Sequence, residues 1–233
     1  MVVKFLRGDR FELERRVVGL LVDVFDRVIK EKGRVVFAIP GGRSVTGIFE
    51  LLKKEDMIDW SKVHVFLVDE RLTDIYSEDS NFRQANELFL HDLIVIKRLP
   101  EENVHPFIHT PSHEDEGLGD YEVELREFGD FFDVVLLGVG EDGHVGALYP
   151  KSSVLDAGEF FIKMHDSPKP PKDRMSSGKH LLERSNTVFV FFFGEGKKQA
   201  YLDFLNPDLK DYDVPVKIVK KAKNTFVVTD IIL

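Results

Sequence analysis

The sequence RVVFAIPGGRS occupies residues 34–44 and joins an apolar run to a glycine-containing turn. Residues 34–39 form a short and nearly continuous apolar run, which is typical of a buried strand. Two glycines follow, and a helical pattern then extends from about Val45 to Lys54. The stretch therefore predicts a strand, a tight turn and a helix, in that order.

The same apolar character recurs in four further runs, at residues 63–68, 131–137, 187–193 and 225–229. Helices are expected to open near Ser80 and Glu195, and a long helix over residues 11–32 precedes the first run, with Asp9 and Glu12 as its amino-terminal cap. Strands that are apolar at every position are buried on both faces. We therefore predict an α/β fold in one domain, with a mostly parallel sheet and helices on both faces.

The composition excludes several classes of protein. The 233 residues include 32 Lys and Arg against 41 Asp and Glu, so the formal net charge is −9. An acidic chain is a poor nucleic-acid binder. The absence of cysteine excludes disulfides, thiolate metal sites and a cysteine nucleophile. Because no segment resembles a membrane span or a signal peptide, we expect a cytoplasmic protein without membrane partners, either a monomer or a weak homo-oligomer.

The turn after the first apolar run is a candidate phosphate site. In parallel sheets, ligands bind beyond the carboxyl ends of the strands. Gly41 and Gly42 allow the backbone to approach a ligand, and the next helix offers unpaired amides. Ile48 and Phe49 stand where a nucleotide P-loop needs Lys and Ser or Thr. The turn thus favours a phosphate over a nucleoside triphosphate, although a plain strand-to-helix turn is an alternative.

Three charged residues, Asp69, Glu70 and Arg71, end the second apolar run. Charged side chains are rarely buried without a partner. Arg71 could pair with one of the two carboxylates for purely structural reasons. Otherwise it is a bidentate ligand for a phosphate or a carboxylate.

The segment LGVGEDGHV, residues 137–145, contains glycines in the spacing GxGxxG. The corresponding dinucleotide motif normally lies in the first strand–helix unit, whereas this one lies beyond the middle of the chain, which disfavours NAD or NADP. The glycines instead present Asp142 and His144 at the end of a strand. A histidine beside a carboxylate is a candidate general base, and a lone surface histidine is the alternative.

The remaining histidines and lysines carry weaker signals. His105, His109 and His113 recur every four residues, but intervening prolines exclude the helix that would align them on a metal. Lys197 follows the run at residues 187–193 and lies on the expected ligand face, or else is a solvated surface charge. The later run of Lys217, Lys220, Lys221 and Lys223 is interpreted as solvated surface.

Six segments together resemble the 6-phosphogluconolactonase family, in order and spacing. They are IPGGRS at 39–44, LVDER at 67–71, SNFRQANELFL at 80–90, LLGVGEDGHVGALYP at 136–150, SPKPPKDR at 167–174 and GEGKK at 194–198. The resemblance implies a single Rossmann-like domain over residues 1–233, related to glucosamine-6-phosphate isomerase. It also implies hydrolysis of 6-phospho-D-glucono-1,5-lactone in the oxidative pentose phosphate pathway.

By this resemblance, His144 is the catalytic base, and Arg71 and Lys197 hold the phosphate beside Gly41 and Gly42. Asp142 is expected to orient the imidazole, and glycine-rich backbone amides are expected to receive the oxyanion. The predicted substrate site is completed by Arg43, Ser44, Asp69, Glu70 and Arg174. A lactone is an activated ester, so we expect neither a metal nor a cofactor.

The chain departs from the family pattern at Val45, which replaces a proline, and at Gly146 and Ala147, where a serine is usual. After Arg174, Ser177 and Gly178 replace Leu and Thr. Two other functions share the predicted features. One is a glucosamine-6-phosphate deaminase or isomerase, whose second-strand motif resembles Asp-Glu-Tyr where this chain has Arg71. The other is a non-catalytic protein that binds sugar phosphates.

Overall fold

The protein folds around a parallel β-sheet, seen in a computed structural model that describes residues 1–158 and 160–233. Within these residues the sheet has seven strands, all parallel. Their spatial order is β1 (Val2–Arg7), β10 (Asn224–Thr229), β9 (Thr187–Phe192), β6 (Val134–Gly138), β2 (Val35–Ile39), β3 (Val63–Leu67) and β5 (Val104–His105).

Helices cover both faces of this sheet, as predicted. They are α1 (Arg10–Lys32), α2 (Thr46–Leu52), α3 (Asn81–Ala85), α4 (His91–Val95), α5 (Leu118–Phe128), α6 (Lys179–Arg184) and α7 (Lys198–Leu205). A π-helical turn, Asn86–Leu90, joins α3 to α4. One apolar core contains α1, α2 and α4 side chains, and the other contains those of α5, α6 and α7. The α/β class is therefore confirmed.

The central strand β2 shows why the apolar runs are strands. All five of its residues are buried. Val35, Phe37 and Ile39 point into the core on the α1 face, while Val36 and Ala38 point into the opposite core. Successive side chains of a strand point to opposite faces, so a strand between two helical layers must be apolar at every position.

Helix α1 begins and ends as the sequence indicates. The Asp9 side chain accepts hydrogen bonds from the backbone N–H groups of Phe11 and Glu12, at 2.9 and 3.3 Å. Gly33, in the left-handed conformation with φ 78°, ends the helix, and its N–H donates to the carbonyl of Ile29. These are the ordinary amino- and carboxyl-terminal capping arrangements of helices.

A second, antiparallel sheet was not predicted. It consists of β4 (Asp69–Arg71), β8 (Arg174–Ser177) and β7 (Phe161–Met164). The chain passes from β3 into β4 at Val68, whose N–H donates to Ile39 and whose carbonyl accepts from Ser177. This small sheet stands over the carboxyl ends of the main strands, because β4 continues directly from β3.

The expected strand over residues 131–137 begins later, at Val134. Asp133, just before it, binds the backbone of β2 through its side chain, which accepts from the Val36 N–H at 3.0 Å. The Asp133 carboxylate also pairs with Lys32 at 2.7 Å. The buried Asp133 carboxylate therefore accepts the hydrogen bond from the Val36 N–H that a backbone carbonyl would accept if the strand began earlier.

The interpretation of the late lysine run as solvated surface is wrong for two of its members. Only 8% of Lys217 is exposed, and its ammonium donates to the carbonyls of Asn206 and Leu209. Lys220 donates to the carbonyl of Phe204 at 2.7 Å and lies over the Phe204 ring. Lys217 is buried and Lys220 is partly buried, because their apolar stems pack against the protein while the charged ends reach backbone carbonyls.

The single tryptophan, Trp60, lies in the core on the α1 face. It opens a 3₁₀ turn, Trp60–Lys62, just before β3, and is 1% exposed. Its ring centroid lies 6.3 Å from that of Phe25 and 6.1 Å from that of Phe89. The indole thus helps to pack α1 and the π-helical turn against the sheet.

None of the helices in the described residues combines the length and the apolar character that crossing a membrane requires.

The connections reverse direction between β2 and β6. From β2 the chain proceeds to β3 and β5 on one side, and from β6 it proceeds to β9 and β10 on the other. The loops after β2 and β6 therefore diverge and leave a crevice at the carboxyl edge of the sheet. Such switch points are the usual ligand sites of open α/β sheets.

Candidate active site

A cavity of about 630 Å³ opens at this switch point. It is formed by the loops after β2, β6 and β9, together with the small antiparallel sheet. Nine of the predicted site residues line it: Gly41, Gly42, Arg43, Ser44, Asp69, Arg71, His144, Arg174 and Lys197. Asp142 and Glu70 are not part of this lining.

The loop after β2 needs glycine for two different reasons. A Cβ on Gly41 would lie 2.0 Å from the Asn81 side-chain oxygen, so a larger residue there would have to displace the Asn81 side chain. Gly42 has φ 90°, a conformation that glycine adopts without strain. The Gly42 N–H already donates to the Gln84 side chain at 2.7 Å. This amide is therefore not free to bind a ligand unless Gln84 moves.

Glu70 does not contact the cavity, contrary to the predicted role in substrate binding. It is 1% exposed, and its carboxylate accepts from the N–H groups of Arg71, Asn81 and Phe82 and from the Ser80 hydroxyl, at 2.7 to 3.0 Å. Burial raises the pKa of this carboxyl, and the hydrogen bonds lower it in part. Glu70 thus joins β4 to the start of α3 and supports the site from behind.

Arg71 makes no ion pair with Asp69 or Glu70, so the structural alternative for Arg71 is wrong. One of its terminal nitrogens, Nη1, donates to the Asp79 carbonyl at 2.5 Å. Its Nε is buried and has no hydrogen-bond partner in residues 1–158 and 160–233. Asp69 instead accepts a hydrogen bond from the Asn81 side chain at 3.2 Å. The Arg71 guanidinium therefore keeps donor capacity and positive charge at the cavity wall.

His144 and Asp142 form a short polar contact at the cavity. The His144 Nδ1 lies 2.5 Å from the Asp142 Oδ1. A neutral imidazole that donates from Nδ1 has its lone pair on Nε2. The His144 ring also lies against Tyr149, with ring centroids 4.5 Å apart. The arrangement leaves Nε2 as the nitrogen that can accept a proton.

The pKa of Asp142 is well below its usual range. Burial acts to raise this pKa, but the hydrogen bond from His144 and the nearby charges of His144 and Lys169 outweigh burial. Asp142 therefore remains a carboxylate at any pH near neutrality.

The glycines of the loop after β6 serve this pair. A Cβ on Gly140 would lie 1.9 Å from the His144 Nδ1 and 2.5 Å from the Asp142 Oδ1. The Gly140 N–H donates to the His144 carbonyl at 2.8 Å, and the Gly143 N–H donates to the Gly140 carbonyl at 3.0 Å. The GxGxxG spacing is explained by a loop that closes on itself around the histidine–aspartate pair.

Lys197 and Arg174 both line the cavity. Burial lowers the pKa of Lys197, and nearby charges modify it, with Glu141 raising it and Lys169 lowering it. Arg174 is 5% exposed and donates to the carbonyls of Pro171, Pro170 and Lys169. Its guanidinium therefore also holds the proline-rich loop in place.

Several residues that line the cavity were not identified as site residues from the sequence. They are Arg10, Asn81, Glu141, Tyr149, Lys169 and Phe193. Arg10 is brought in by its ion pair with Glu14 at 2.9 Å and by its hydrogen bond to the Arg43 carbonyl. Lys169 and Tyr149 lie within two of the quoted motifs, which was the available signal. In the described part of the chain, six cationic side chains line the cavity against two carboxylates, so its lining is positive although the protein is acidic.

No group of three or more potential metal ligands comes together among the residues that the structure describes.

The fold and the site define a class: an α/β protein with a positively charged crevice at its switch point and a histidine–carboxylate pair at the crevice. Comparison with known proteins gives the family. Residues 8–228 match the family model "Glucosamine-6-phosphate isomerases/6-phosphogluconolactonase". The chain belongs to this family, and the resemblance of the six sequence segments is confirmed.

Relatives and solved structures agree with this assignment. A 6-phosphogluconolactonase of Borreliella burgdorferi is 29% identical over 98% of this chain and 96% of its own length. One of Mycobacterium tuberculosis is 30% identical over 77% and 76%. The crystal structure of a Thermotoga maritima 6-phosphogluconolactonase covers 99% of both chains, with a TM-score of 0.83 at 25% identity. A Shewanella baltica structure, at 23% identity and a TM-score of 0.84, supports the fold.

Proposed function

We propose that the protein hydrolyses 6-phospho-D-glucono-1,5-lactone to 6-phosphogluconate. The observation that carries this proposal is the His144–Asp142 pair at the wall of a cavity with a positive lining. The names of the relatives support the choice of lactone. A phosphate dianion needs the cations, and an ester carbonyl needs a base to activate water.

In the proposed reaction, neutral His144 takes a proton from water through Nε2 while the water oxygen attacks the C1 carbonyl. The Asp142 carboxylate holds the Nδ1 proton and stabilises the imidazolium that forms. The C1–ring oxygen bond then breaks, and the imidazolium returns its proton to the departing ring oxygen. The new carboxylic acid loses its own proton to solvent, so lactone and water give a carboxylate and one proton.

We assign the phosphate to Arg71 and Lys197, with Arg43, Arg174 and Ser44 nearby. Arg71 has an unpartnered buried Nε among the described residues. The lowered pKa of Lys197 reflects burial next to other cations, a situation that a bound dianion relieves. Binding at the phosphate would position the lactone carbonyl at His144, which lowers the entropic part of the barrier.

The test is a lactonase assay on purified wild-type protein and on His144→Ala, with spontaneous hydrolysis subtracted. The variant should lose roughly 100-fold or more in kcat, the usual contribution of a positioned base. It should still bind 6-phosphogluconate, because the phosphate ligands lie on other loops. His180→Ala, which alters a largely exposed histidine of α6, should behave as wild type. Near-normal turnover by His144→Ala would show that another group activates the water.

The same family includes glucosamine-6-phosphate isomerases, so this alternative is tested in parallel. Release of ammonia from glucosamine 6-phosphate, without lactone hydrolysis above background, would replace the proposed reaction. Binding of 6-phosphogluconate without either activity would indicate a sugar-phosphate-binding protein.

A further inference from the structure

Lys169 lies beside the proposed catalytic pair. It lines the cavity, and its ammonium nitrogen is 3.9 Å from Asp142 Oδ1, the same oxygen that lies 2.5 Å from His144 Nδ1. At 3.9 Å the contact with Asp142 is loose. The Lys169 ammonium therefore retains donors for a ligand at this end of the cavity.

Buried groups hold the backbone of Lys169 in place. Its N–H donates to the Ser167 hydroxyl at 3.3 Å, and its carbonyl lies 3.0 Å from the same hydroxyl and 3.4 Å from Arg174 Nη2. Ser167 and Arg174 are only 1% and 5% exposed. A lysine that served only as a solvated charge would not need a main chain fixed in this way.

The same contacts tie Lys169 to His144. The Ser167 hydroxyl lies 3.0 Å from the hydroxyl of Tyr149, and the Tyr149 ring packs against the His144 imidazole. One buried frame therefore carries the imidazole and the lysine. Their relative position is set before any substrate arrives, which is the condition for electrostatic stabilisation of a transition state.

The reaction needs positive charge at this end. Attack of water converts the neutral C1 carbonyl into an oxyanion, and bond cleavage leaves a carboxylate there. The loop amides expected to receive this charge are in part occupied, because Gly140 and Gly143 donate to carbonyls of their own loop. Arg71 and Lys197 are assigned to the phosphate. Apart from His144 itself, Lys169 is the side chain that pairs with Asp142 among the ion pairs of the described residues.

We propose that Lys169 forms the subsite for the C1 oxygens: it stabilises the oxyanion as the lactone carbonyl is attacked and then binds the carboxylate of the product. This assignment rests on the proposed function. No proton transfer through Lys169 is involved, since its ammonium acts only as a charged donor.

Three variants test the assignment. Lys169→Met removes the charge but keeps the main-chain contacts and most of the stem. Lys169→Arg restores a cation. Lys172→Met alters an exposed lysine of the same loop that does not line the cavity, and it serves as the matched control. We expect Lys169→Met to lower kcat roughly 10- to 100-fold with KM changed less than about threefold, since a transition-state contact is lost. Lys169→Arg should recover most of the loss.

Binding measurements separate this assignment from a phosphate role. The two probes are 6-phosphogluconate and D-glucitol 6-phosphate, which has an alcohol in place of the carboxylate. For Lys169→Met, calorimetry should show about 10-fold weaker binding of 6-phosphogluconate, the loss of one charge-assisted contact, and nearly unchanged binding of D-glucitol 6-phosphate.

The outcomes are distinguishable. Equal weakening of both probes would make Lys169 a phosphate ligand, and no weakening of either would make it a surface charge, so both results overturn the subsite. A wild-type protein without turnover would refute the proposed function, while the two binding constants would still test the subsite. A wild-type protein that binds neither probe would overturn both.

Discussion

His144 and Asp142 are two residues apart in the sequence, yet their contact depends on a residue with no side chain. The short distance between Nδ1 and Oδ1 requires the space that a Cβ on Gly140 would fill. The absence of a side chain at Gly140 therefore permits the contact on which the proposed chemistry depends.

Replacing Asp142 with Asn should lower kcat about 100-fold and leave KM within about threefold, because the imidazolium loses its counter-charge while the phosphate contacts remain. Because the pKa of Asp142 is well below its usual range, this carboxylate is protonated, and loses its charge, only in strong acid. The wild-type kcat/KM should accordingly rise with pH along one single-proton limb, because His144 is then the one group of the pair that must lose a proton for activity.

The check is a pH–rate profile of the wild type and Asp142→Asn between about pH 5 and pH 9. Two superposed acid limbs in the wild type would mean that the carboxylate also titrates, against the assignment. An Asp142→Asn enzyme with normal kcat would show that the aspartate only shapes the loop.

Sequence reasoning identified the residues that motifs mark, and it failed where a partner is distant in the chain. The Asp-Gly-His turn is recognisable because its glycines and acid are adjacent. Lys169 and Tyr149 were not singled out, since their proximity to His144 arises only when the proline-rich loop folds over the crevice. Glu70 was expected in the substrate site because its hydrogen bonds are not visible in the sequence. Its carboxylate accepts from backbone N–H groups of α3, which lie 11 and 12 residues further along the chain.

At the scale of elements, the edge of the main sheet carries an unusual histidine pair. His64 of β3 and His105 of β5 lie side by side, with the His64 Nδ1 3.1 Å from the His105 Nε2. The His105 Nδ1 lies 2.6 Å from the Glu124 carboxylate of α5. Burial, the charge of His105 and that of Arg34 lower the pKa of His64 to about 4.

This pair should make stability depend on pH. The unfolded chain takes up a proton at His64 near its ordinary pKa of about 6.5, whereas the folded chain does so only near 4. Stability is therefore fully present above the unfolded value and is lost as the pH falls towards 4. After allowance for solvent screening, we expect about 1 kcal/mol to be lost through His64 between about pH 7 and pH 5.

Chemical denaturation at the two pH values measures this effect. His64→Gln should remove that part of the pH dependence, whereas His180→Gln on α6 should leave it intact. An unchanged pH dependence in His64→Gln would assign the acid sensitivity to other groups.

The long and uniformly apolar elements were predictable, and the short ones were not. β2, β3, β9 and β10 lie close to the predicted runs because a buried central strand has no polar position to obscure it. β1 was missed because it lies at an edge of the sheet. Four of its first five residues are exposed and one of these four is a lysine, so the segment shows no continuous apolar run. β5 has only two residues and β4 only three, too few to form a pattern.

At the scale of the whole molecule, an acidic protein concentrates positive charge in one crevice. Arg71→Ala and Lys197→Ala should each raise KM about 10-fold with a smaller change in kcat, because each removes one charge-assisted contact to the phosphate. Steady-state kinetics test this, with Lys198→Ala as the matched control: Lys198 follows Lys197 directly but is exposed and does not line the cavity. Unchanged KM in both variants would refute the phosphate assignment.

We propose that residues 1–233 form one cooperative unit. Both cores pack against opposite faces of the same seven-stranded sheet. The strands therefore cannot unfold on one face without disrupting the packing on the other. Scanning calorimetry should show one transition whose calorimetric and van't Hoff enthalpies agree. Two resolved transitions would divide the chain into separate domains.

The burial of Trp60 gives the molecule an internal optical reporter. As the only tryptophan, it dominates the intrinsic fluorescence, and its indole is enclosed by aromatic side chains on the α1 face. It does not line the crevice. Emission should therefore shift to longer wavelength when the α1 layer separates from the sheet and water reaches the ring, while addition of a sugar phosphate leaves the spectrum nearly unchanged. Unfolding can thus be followed through Trp60 emission in the presence of a ligand, because ligand binding itself does not alter the signal.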